Sequence, residues 1–400
     1  MSSHPTRITA PGVPSSCDVV VVGAGVIGLS CAWRLAERGL SVALVDPDPG
    51  HGASWAAAGM LAPTTEASYG EEQQLRLGLA GAARWPSYAA ELATASGCDP
   101  GLREQGTLVV AHDAGDKAEL DRFAAYGARL GLTLHSLSGR ECRRLEPLLA
   151  PDVRGGLLAA DRSAHNRLTV AALIAACQRS GVRLLATTVE RIETTGPSAA
   201  LRVSGVRLAD GSGLRGEHVV VAAGSWSPLL AGLPEDVVPP VRPVRGTVLR
   251  LMTPPDYRGA GVLSRTLRGT VAGAHVYLVP REDGEVVVGA TMEEAGYDDR
   301  PTAGGVWELL RDARLLLPVI SELTFVEAWS GLRPATPDNA PVVGPTAVAG
   351  LVMATGHGRN GILLAPVTAD AVVAVVTEDV VPDALQAFSP LRFSHAQAST

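Results

Sequence analysis

The feature that most constrains the fold is a glycine-rich turn near the start of the chain, set between a β-branched run and a helical segment. Residues 18–22 predict a buried strand, and Gly23-Ala24-Gly25-Val26-Ile27-Gly28 follows it directly. Residues 29–38 have helical spacing, Gly39 is a natural helix stop, and residues 41–45 form a second apolar run. A strand, a helix and a strand of this length predict a right-handed βαβ unit in a parallel sheet.

Each glycine of the turn has its own role in a dinucleotide site. Gly23 allows the tight turn, Gly25 lets the backbone approach a pyrophosphate, and Gly28 lets the helix pack on the strand. The free N–H groups of the helix N-terminus then face the phosphates. Asp46 ends the second strand, where a carboxylate can accept hydrogen bonds from both ribose hydroxyls of an adenosine. The combination favours a dinucleotide site over an ordinary turn.

Further glycine-rich segments favour FAD over NAD, since NAD needs only the first motif. Residues 52–60 (GASWAAAGM) are small and apolar, as a loop against a bulky flat cofactor would be. Residues 219–224 (VVVAAG) and 351–361 (LVMATGHGRNG) repeat the theme of a strand followed by glycine. The helix after the last segment can aim its N–H groups at a flavin carbonyl, where negative charge builds on reduction. Taken alone, without the N-terminal motif, either of the two later segments would favour an ordinary buried strand with a turn.

The rest of the chain predicts a second unit of a different kind. Residues 71–92, 116–130 and 164–180 are helical in pattern, and residues 244–289 alternate in short strands separated by Gly and Pro, which is typical of an antiparallel sheet. We therefore predict an α/β fold, in which a Rossmann-like FAD-binding domain with a parallel sheet is interleaved with an α+β substrate domain built on an antiparallel sheet. The predicted FAD-binding domain comprises residues 17–75, 145–243 and 326–385, the substrate domain comprises 76–144 and 244–325, and residues 1–16 and 386–400 are flexible termini.

Composition and charge exclude several classes of protein. The net charge of −7 over 400 residues argues against a nucleic-acid partner. The five cysteines are odd in number and form no CxxC pair, so we expect no disulfide framework, no metal site and a reducing cytoplasm. We expect no targeting signal at the N-terminus and no membrane span, because Asp370, Glu378 and Asp379 interrupt the apolar stretch near the C-terminus.

Four stretches resemble the D-amino-acid oxidase superfamily of flavoproteins, and within it the glycine oxidases associated with thiazole synthesis for thiamine. They are residues 20–28, 53–63 (ASWAAAGMLAP), 329–345 (WSGLRPATPDNAPVVGP) and 354–366 (ATGHGRNGILLAP). The resemblance implies oxidation of glycine, sarcosine or a short D-amino acid, with O₂ returning the reduced flavin to its oxidised form. It also implies a homo-oligomer, either tetramer or dimer, and a functional link to thiazole synthase.

The resemblance assigns residues to the cofactor and to the substrate. The dinucleotide turn and Asp46-Pro47 hold the adenosine half, with the backbone of Val189 at the adenine. The pyrophosphate and flavin contacts are expected from Gly23, Gly25, Val26, Ile27, Gly28, Ala53, Ser54, Ala58, Gly59, Met60, Gly224, His357, Gly358, Arg359, Asn360, Gly361, Ile362 and Leu363. The substrate pocket is expected to contain Arg333, Arg359, Tyr277, His275 and Met292.

Three positions depart from the family pattern. Asp46 stands where many relatives have Glu, and Gly358 occupies a site that is bulkier in some relatives, which would widen the pocket mouth. No cysteine follows Cys177, whereas single-chain sarcosine oxidases tie FAD to a late cysteine. We therefore expect a flavin that is bound non-covalently.

The chemistry requires a clamp for the substrate carboxylate more than an acid–base pair. When hydride leaves the substrate Cα for flavin N5, the protein binds and orients. Arg333 offers a planar fork that binds a carboxylate bidentately, and it lies in an apolar context where a lone charge needs a partner. His275 and Tyr277 alternate on a strand and face the same side, which also suits an ordinary packing role. Arg359 could instead shape the flavin loop, and Met292 is more typical of a pocket wall.

Other functions stay open at the level of sequence. A dehydrogenase of amines or proline would pass its electrons to a quinone or another protein instead of O₂. A non-catalytic flavin-binding subunit would tolerate replacement of Arg333 and Arg359. An NAD-dependent dehydrogenase would leave residues 52–60 and 354–361 unexplained.

Overall fold

The structure of the chain is a computed structural model that describes residues 15–257, 261–271 and 273–393. Within these residues the chain forms two large sheets, a small three-stranded sheet and eight α-helices. The predicted flexible leader lies outside the described residues as far as residue 14, and so does the tail from residue 394.

The elements are numbered in chain order. The strands are β1 (Ser16–Val22), β2 (Val42–Val45), β3 (Met60–Leu61), β4 (Leu102–Arg103), β5 (Thr107–Ala111), β6 (His135–Ser138), β7 (Gly155–Ala159), β8 (Arg162–Ala164), β9 (Arg183–Leu185), β10 (Val189–Thr195), β11 (Arg202–Leu208), β12 (Gly213–Val221), β13 (Arg242–Met252), β14 (Thr266–Val271), β15 (Ala274–Pro280), β16 (Glu285–Gly289), β17 (Thr324–Ala335), β18 (Val342–Pro345) and β19 (Leu351–Thr355). The helices are α1 (Val26–Glu37), α2 (Ala53–Ala56), α3 (Glu72–Ser96), α4 (Ala114–Arg129), α5 (Gly139–Leu145), α6 (Asn166–Arg179), α7 (Ala303–Leu316) and α8 (Gly361–Glu378).

The first sheet has a parallel centre in the order β19-β12-β1-β2-β9. The hairpin β10-β11 extends it on an antiparallel edge, and β18 pairs antiparallel with β19. Residues 19–22 of β1, 42–45 of β2 and 219–221 of β12 are apolar and buried, because both faces of the sheet are covered there. The predicted βαβ unit is confirmed as β1-α1-β2.

Four helices cover one face of the first sheet. α1 packs against α6 and α8, and α3 packs against α6 and α8. Trp85 in α3 fixes the start of α8 by donating its indole N–H to the carbonyls of Ile362 and Leu363, both at 3.1 Å. α8 is long and apolar enough to cross a membrane by composition alone, but its side chains are mostly buried among the other helices. It serves here as a core helix.

The second sheet follows the order β17-β13-β16-β15-β14-β5-β7-β6. Its pairs are antiparallel, as predicted for residues 244–289, except that β14 and β5 are parallel. α7 covers one face through Leu309, Ala313 and Leu316. The opposite face, which includes Val248 and Tyr277, turns towards the first sheet. The two sheets therefore enclose the space between them.

Two strands from stretches predicted for the first unit are hydrogen-bonded into the second sheet. β7 pairs with β5 and β6, and β17 pairs with β13 from end to end. We propose the predicted domain division with two changes. These two strands move to the substrate unit because they share backbone hydrogen bonds with its sheet. α3 moves to the FAD-binding unit because it packs on α6 and α8.

The segment up to residue 393 packs on the fold, whereas the sequence predicted a flexible terminus from residue 386. Residues 383–388 and 390–393 form two short 3-10 helices, and Phe388 is buried. Arg392 donates to Asp338 at 2.8 Å. The prediction of a flexible segment from residue 386 is therefore wrong as far as Phe393, because an aromatic anchor and an ion pair hold it.

Candidate active site

The carboxyl ends of four parallel strands meet at one edge of the first sheet. β1 runs into Gly23, β2 into Asp46, β12 into Ala222 and β19 into Gly356. In open parallel sheets ligands bind in the crevice beyond these ends. A cavity of about 950 Å³ opens at this edge and continues between the two sheets. Its volume is near the upper end of the roughly 300–1,000 Å³ of ligand pockets, as a dinucleotide requires.

The dinucleotide turn has the geometry that its glycines predicted. Gly23 has a φ of 102°, and a Cβ there would lie 2.5 Å from the carbonyl oxygen of Ala222. A Cβ on Gly28 would lie 1.8 Å from the carbonyl oxygen of Gly23. Only glycine fits at either position, so the turn stays tight and the N-terminus of α1 opens onto the cavity.

Asp46 lies at the rim of the cavity and organises the backbone around it. Its carboxylate accepts from the N–H of Ala24 at 2.7 Å and of Asp48 at 2.7 Å. Burial raises the pKa of Asp46, while these backbone N–H groups oppose the rise. The carboxylate has further lone pairs free to accept from a ribose.

Residues 52–60, predicted as a loop against the cofactor, contain the short helix α2 and lead into β3. The hydroxyl of Ser54 accepts from the N–H of Val26 at 2.9 Å, which ties this segment to the dinucleotide turn. Asn166 donates to the carbonyls of Ser54 and Trp55 at 2.9 and 2.7 Å. A Cβ on Gly59 would lie 1.9 Å from the carbonyl oxygen of Ala164, so the backbone passes too close for any side chain.

The start of α8 forms another wall of the cavity. Gly361 and Ile362 line it, so the N-terminal turn of a long helix faces the enclosed space. His357 precedes the helix and is buried, with Nε2 at 3.0 Å from the Thr368 hydroxyl. Burial lowers the pKa of His357 to about 3, so its ring is neutral at physiological pH.

Arg333 and Tyr277 lie together on the cavity side of the second sheet. Arg333 donates to the carbonyl of Thr291 at 3.0 Å, and no ion pair among the described residues includes it. Burial raises the pKa of Tyr277, and the adjacent Arg333 guanidinium partly counters the rise. A cation beside a protonated hydroxyl, both facing a cavity, forms a receptor for a carboxylate.

Arg359 lies at the same cavity but has carboxylate partners of its own. Its Nε is 3.2 Å from Glu66 Oε2, and its Nη2 is 3.7 Å from Glu71. Arg268 bonds the other oxygen of Glu66 at 2.6 Å. The two arginines predicted to bind the substrate therefore differ in their partners. Within the described residues Arg333 forms no ion pair with a carboxylate, whereas Arg359 does.

The remaining predicted substrate residues lie towards the mouth of the cavity. His275 is exposed, with its Nδ1 at 3.1 Å from the Thr270 hydroxyl, and Met292 is 75% exposed. Both line the cavity, but neither touches Arg333 by a hydrogen bond in the described structure.

Most of the predicted cofactor residues are brought together around the one cavity, and three are not. Gly28 faces the sheet, Asn360 occupies the N-cap position of α8, and Leu363 packs in the core among the helices. The predicted residues that line the cavity are Gly23, Gly25, Val26, Ile27, Asp46, Pro47, Ala53, Ser54, Ala58, Gly59, Met60, Val189, Gly224, His357, Gly358, Arg359, Gly361 and Ile362.

Several cavity residues had no signal in the sequence. Glu66, after β3, and Arg268, on β14, lie in segments with no motif that are 202 residues apart in the chain. Gly246 and Gly289 are strand glycines that make room for Arg333 and Tyr277. A glycine inside a strand is the one local hint available, since it often marks a close approach.

A parallel sheet with a glycine turn, an acid at the second strand and a second helix aimed into the same cavity defines a flavin-binding oxidoreductase. The chain belongs to the FAD-dependent oxidoreductase family, whose profile is described as "FAD dependent oxidoreductase" and matches residues 18–375. The predicted family, the fold class and the FAD cofactor are confirmed.

Individual relatives of the chain have names that are more specific than the description of the family. The chain is 33% identical over 386 residues to the bifunctional protein ThiO/ThiG of Trichormus variabilis, covering 96% of this chain and 56% of that protein. It is 33% identical over 356 residues to the glycine oxidase of Geobacillus kaustophilus, covering 88% of this chain and 90% of the relative. The crystal structure of that organism's glycine oxidase matches with a TM-score of 0.85 at 32% identity, covering 95% and 99% of the two chains. This chain therefore spans just over half the length of the bifunctional relative.

Proposed function

We propose that this protein oxidises the amine of a small amino acid, with glycine as the preferred substrate and O₂ as the electron acceptor. The reaction converts glycine, O₂ and water to glyoxylate, ammonia and hydrogen peroxide, through an imine that water hydrolyses. The observation that carries the proposal is Arg333, a guanidinium facing the cavity without a carboxylate partner in the described structure.

A partly buried cation without a counter-charge is costly, and a substrate carboxylate removes that cost. Arg333 is held in place by backbone carbonyls, which orient it without neutralising it. Its fork can take both oxygens of a carboxylate, and the Tyr277 hydroxyl can donate a further hydrogen bond. Fixing the carboxylate positions the Cα–N bond of a short amino acid within the cavity.

The cofactor assignment follows from the same cavity. FAD, when bound there, would supply a hydride acceptor and a route for the electrons to O₂. We propose that the predicted residues lining the cavity hold it, with Asp46 at the ribose and the turns at Gly23 and Gly59 against the diphosphate. None of the five cysteines lines the cavity, which supports non-covalent binding.

The relatives suggest the wider role. One relative is named as a bifunctional protein, ThiO/ThiG, which unites two functions in one chain, and this supports a functional link to thiazole synthase. We propose that role here, together with a cytoplasmic location and a homo-oligomer.

Replacing Arg333 tests the proposal. We expect Arg333→Lys to lower kcat/KM for glycine about ten- to a hundred-fold, because the charge stays but the bidentate hydrogen bonds are lost. Peroxide release and O₂ uptake measure the loss, and the flavin spectrum checks that FAD is retained. Arg242→Lys is the matched control, since Arg242 pairs with Glu294 on the exposed end of β13. Equal glycine oxidation by wild type and Arg333→Lys would contradict the role of Arg333.

A further inference from the structure

Glu66 joins two of the arginines that line the cavity, Arg268 and Arg359. Its Oε1 is 2.6 Å from Arg268 Nη1, and its Oε2 is 3.2 Å from Arg359 Nε. The carboxylate is only 13% exposed, so solvent screens these contacts little. One carboxylate therefore serves two guanidinium groups.

The segment that carries Glu66 is fixed from the other side. Asp161 accepts from the N–H of Thr64 at 3.2 Å, and from the N–H and hydroxyl of Thr65 at 2.9 and 2.8 Å. Asp161 is itself buried. The position of the Glu66 carboxylate is thus set by the backbone that precedes it and does not depend on its arginine partners alone.

Glu66 and Arg268 lie at the same cavity as Arg333 and Tyr277, the proposed carboxylate receptor. Arg268 lies directly opposite Tyr277 in the β14-β15 ladder. Arg333, Glu66 and Arg268 line the same cavity as Tyr277, and their charges all act on the pKa of the Tyr277 hydroxyl.

The pairing leaves one unneutralised guanidinium near Tyr277 in the described part of the chain, and that group is Arg333. Without Glu66, Arg359 would keep Glu71 at 3.7 Å, but Arg268 would lose its carboxylate partner. Arg268 would then be a second receptor for an anion on the same wall of the cavity.

We propose that Glu66 determines the substrate class by occupying Arg268, so that the site accepts amino acids with one carboxylate and rejects those with two. A second carboxylate on the substrate would meet the Glu66 carboxylate in place of a free cation. Two like charges that approach each other in a partly buried site repel. The inference rests on the proposed function of Arg333 as the receptor for the first carboxylate.

Glu66→Gln tests the proposal, because it keeps the shape of the side chain and removes its charge. The ratio of kcat/KM for a dicarboxylic amine (D-aspartate or iminodiacetate) to kcat/KM for glycine should rise about ten- to a hundred-fold, as expected for one new charge-assisted pair. Adding Arg268→Met to the Glu66→Gln variant should abolish that gain. Glu119→Gln is the control, since Glu119 is an exposed carboxylate at the same cavity. An unchanged ratio in Glu66→Gln would overturn the proposal.

A binding measurement separates this inference from the proposed oxidase activity. The FAD-loaded protein is titrated with acetate and with malonate, and the perturbation of the flavin spectrum gives each Kd. Glu66→Gln should tighten malonate about ten-fold or more relative to acetate, whatever the protein oxidises. If wild type oxidises neither glycine nor other amines, the proposed function fails while this shift still supports the role of Glu66. Equal malonate-to-acetate ratios in wild type and Glu66→Gln would overturn it.

Discussion

Two strand glycines make room for the side chains proposed to bind the substrate. A Cβ on Gly246 would lie 2.2 Å from Arg333 Nη1, and a Cβ on Gly289 would lie 2.4 Å from the Tyr277 hydroxyl oxygen. Both obstructed atoms are the ends of long side chains, which can swing aside more easily than backbone can. An added methyl group should therefore displace the receptor and leave the sheet intact.

Gly289→Ala should raise KM for glycine about ten- to a hundred-fold, because the Tyr277 hydroxyl would be pushed from its place beside Arg333. The melting temperature should change little. Steady-state kinetics and thermal unfolding measure the two effects. Gly213→Ala is the matched control, because a Cβ there meets no atom within 4 Å. A large loss of stability with an unchanged KM would contradict the proposal that Gly289 makes room for the Tyr277 hydroxyl.

His357 makes the stability of the fold depend on pH. Its pKa is lowered by burial from 6.5 to about 3, so between these values the unfolded chain binds a proton that the folded chain does not. The free energy of unfolding should therefore fall as pH falls from 6.5 towards 3.

We expect His357→Gln to reduce the drop in melting temperature between about pH 7.5 and about pH 5, because Gln does not titrate there. Gln can still hydrogen-bond Thr368, so packing at the start of α8 is largely kept. His135→Gln, at an exposed strand position, is the control. An equal acid-side drop in wild type and His357→Gln would show that His357 is not responsible.

At the scale of elements, Arg281 connects the second sheet to the segment that lines the cofactor cavity. It is buried at the end of β15 and donates to the carbonyls of Ala58 and Ala164 at 2.6 and 3.0 Å. Burial lowers its pKa to about 10, which still leaves it charged at neutral pH. These bonds fix the backbone at Gly59, where no side chain could fit.

Arg281→Met should weaken FAD binding about ten- to a hundred-fold, because two buried carbonyls lose their donor and the segment loosens. Ultrafiltration followed by flavin fluorescence in the filtrate measures the dissociated fraction. Arg311→Met, which removes an exposed arginine on α7, is the control. Unchanged FAD retention in Arg281→Met would contradict the link between the sheet and the cofactor segment.

The elements that sequence predicted well are those whose signal is local. The turn from Gly23 to Gly28 and the carboxylate of Asp46 are close in the chain. Backbone sterics require glycine at Gly23 and Gly28, so the sequence pattern shows where the turn lies. The contact of Glu66 with Arg268 joins segments that are 202 residues apart, which no short pattern predicts. For the same reason the pairing of β7 with β5 was missed.

At the scale of the whole molecule, the cavity exists only when both sheets are in place. Its walls include Gly25 and Asp46, beyond the carboxyl ends of the strands of the first sheet, and Val248 and Tyr277 of the second sheet. The unfolded chain has no such cavity, so FAD should bind only the folded state and stabilise it by mass action.

Removal of FAD should therefore lower the melting temperature, and added FAD should restore it in a concentration-dependent way. A hundred-fold excess of FAD over its Kd corresponds to about 2.7 kcal/mol of added stability. Differential scanning fluorimetry on the apoprotein with increasing FAD measures the effect, with riboflavin as the control that lacks the adenosine and diphosphate. An unchanged melting temperature would argue against a cofactor held between the sheets.

The most direct test of the central claim is the visible spectrum of the FAD-loaded protein during anaerobic addition of glycine, followed by air. We expect the flavin absorbance to bleach with glycine and to return with air, with hydrogen peroxide released in step. A flavin spectrum that glycine leaves unchanged would contradict the proposed oxidation of glycine. A spectrum that bleaches but does not recover in air would contradict O₂ as the acceptor.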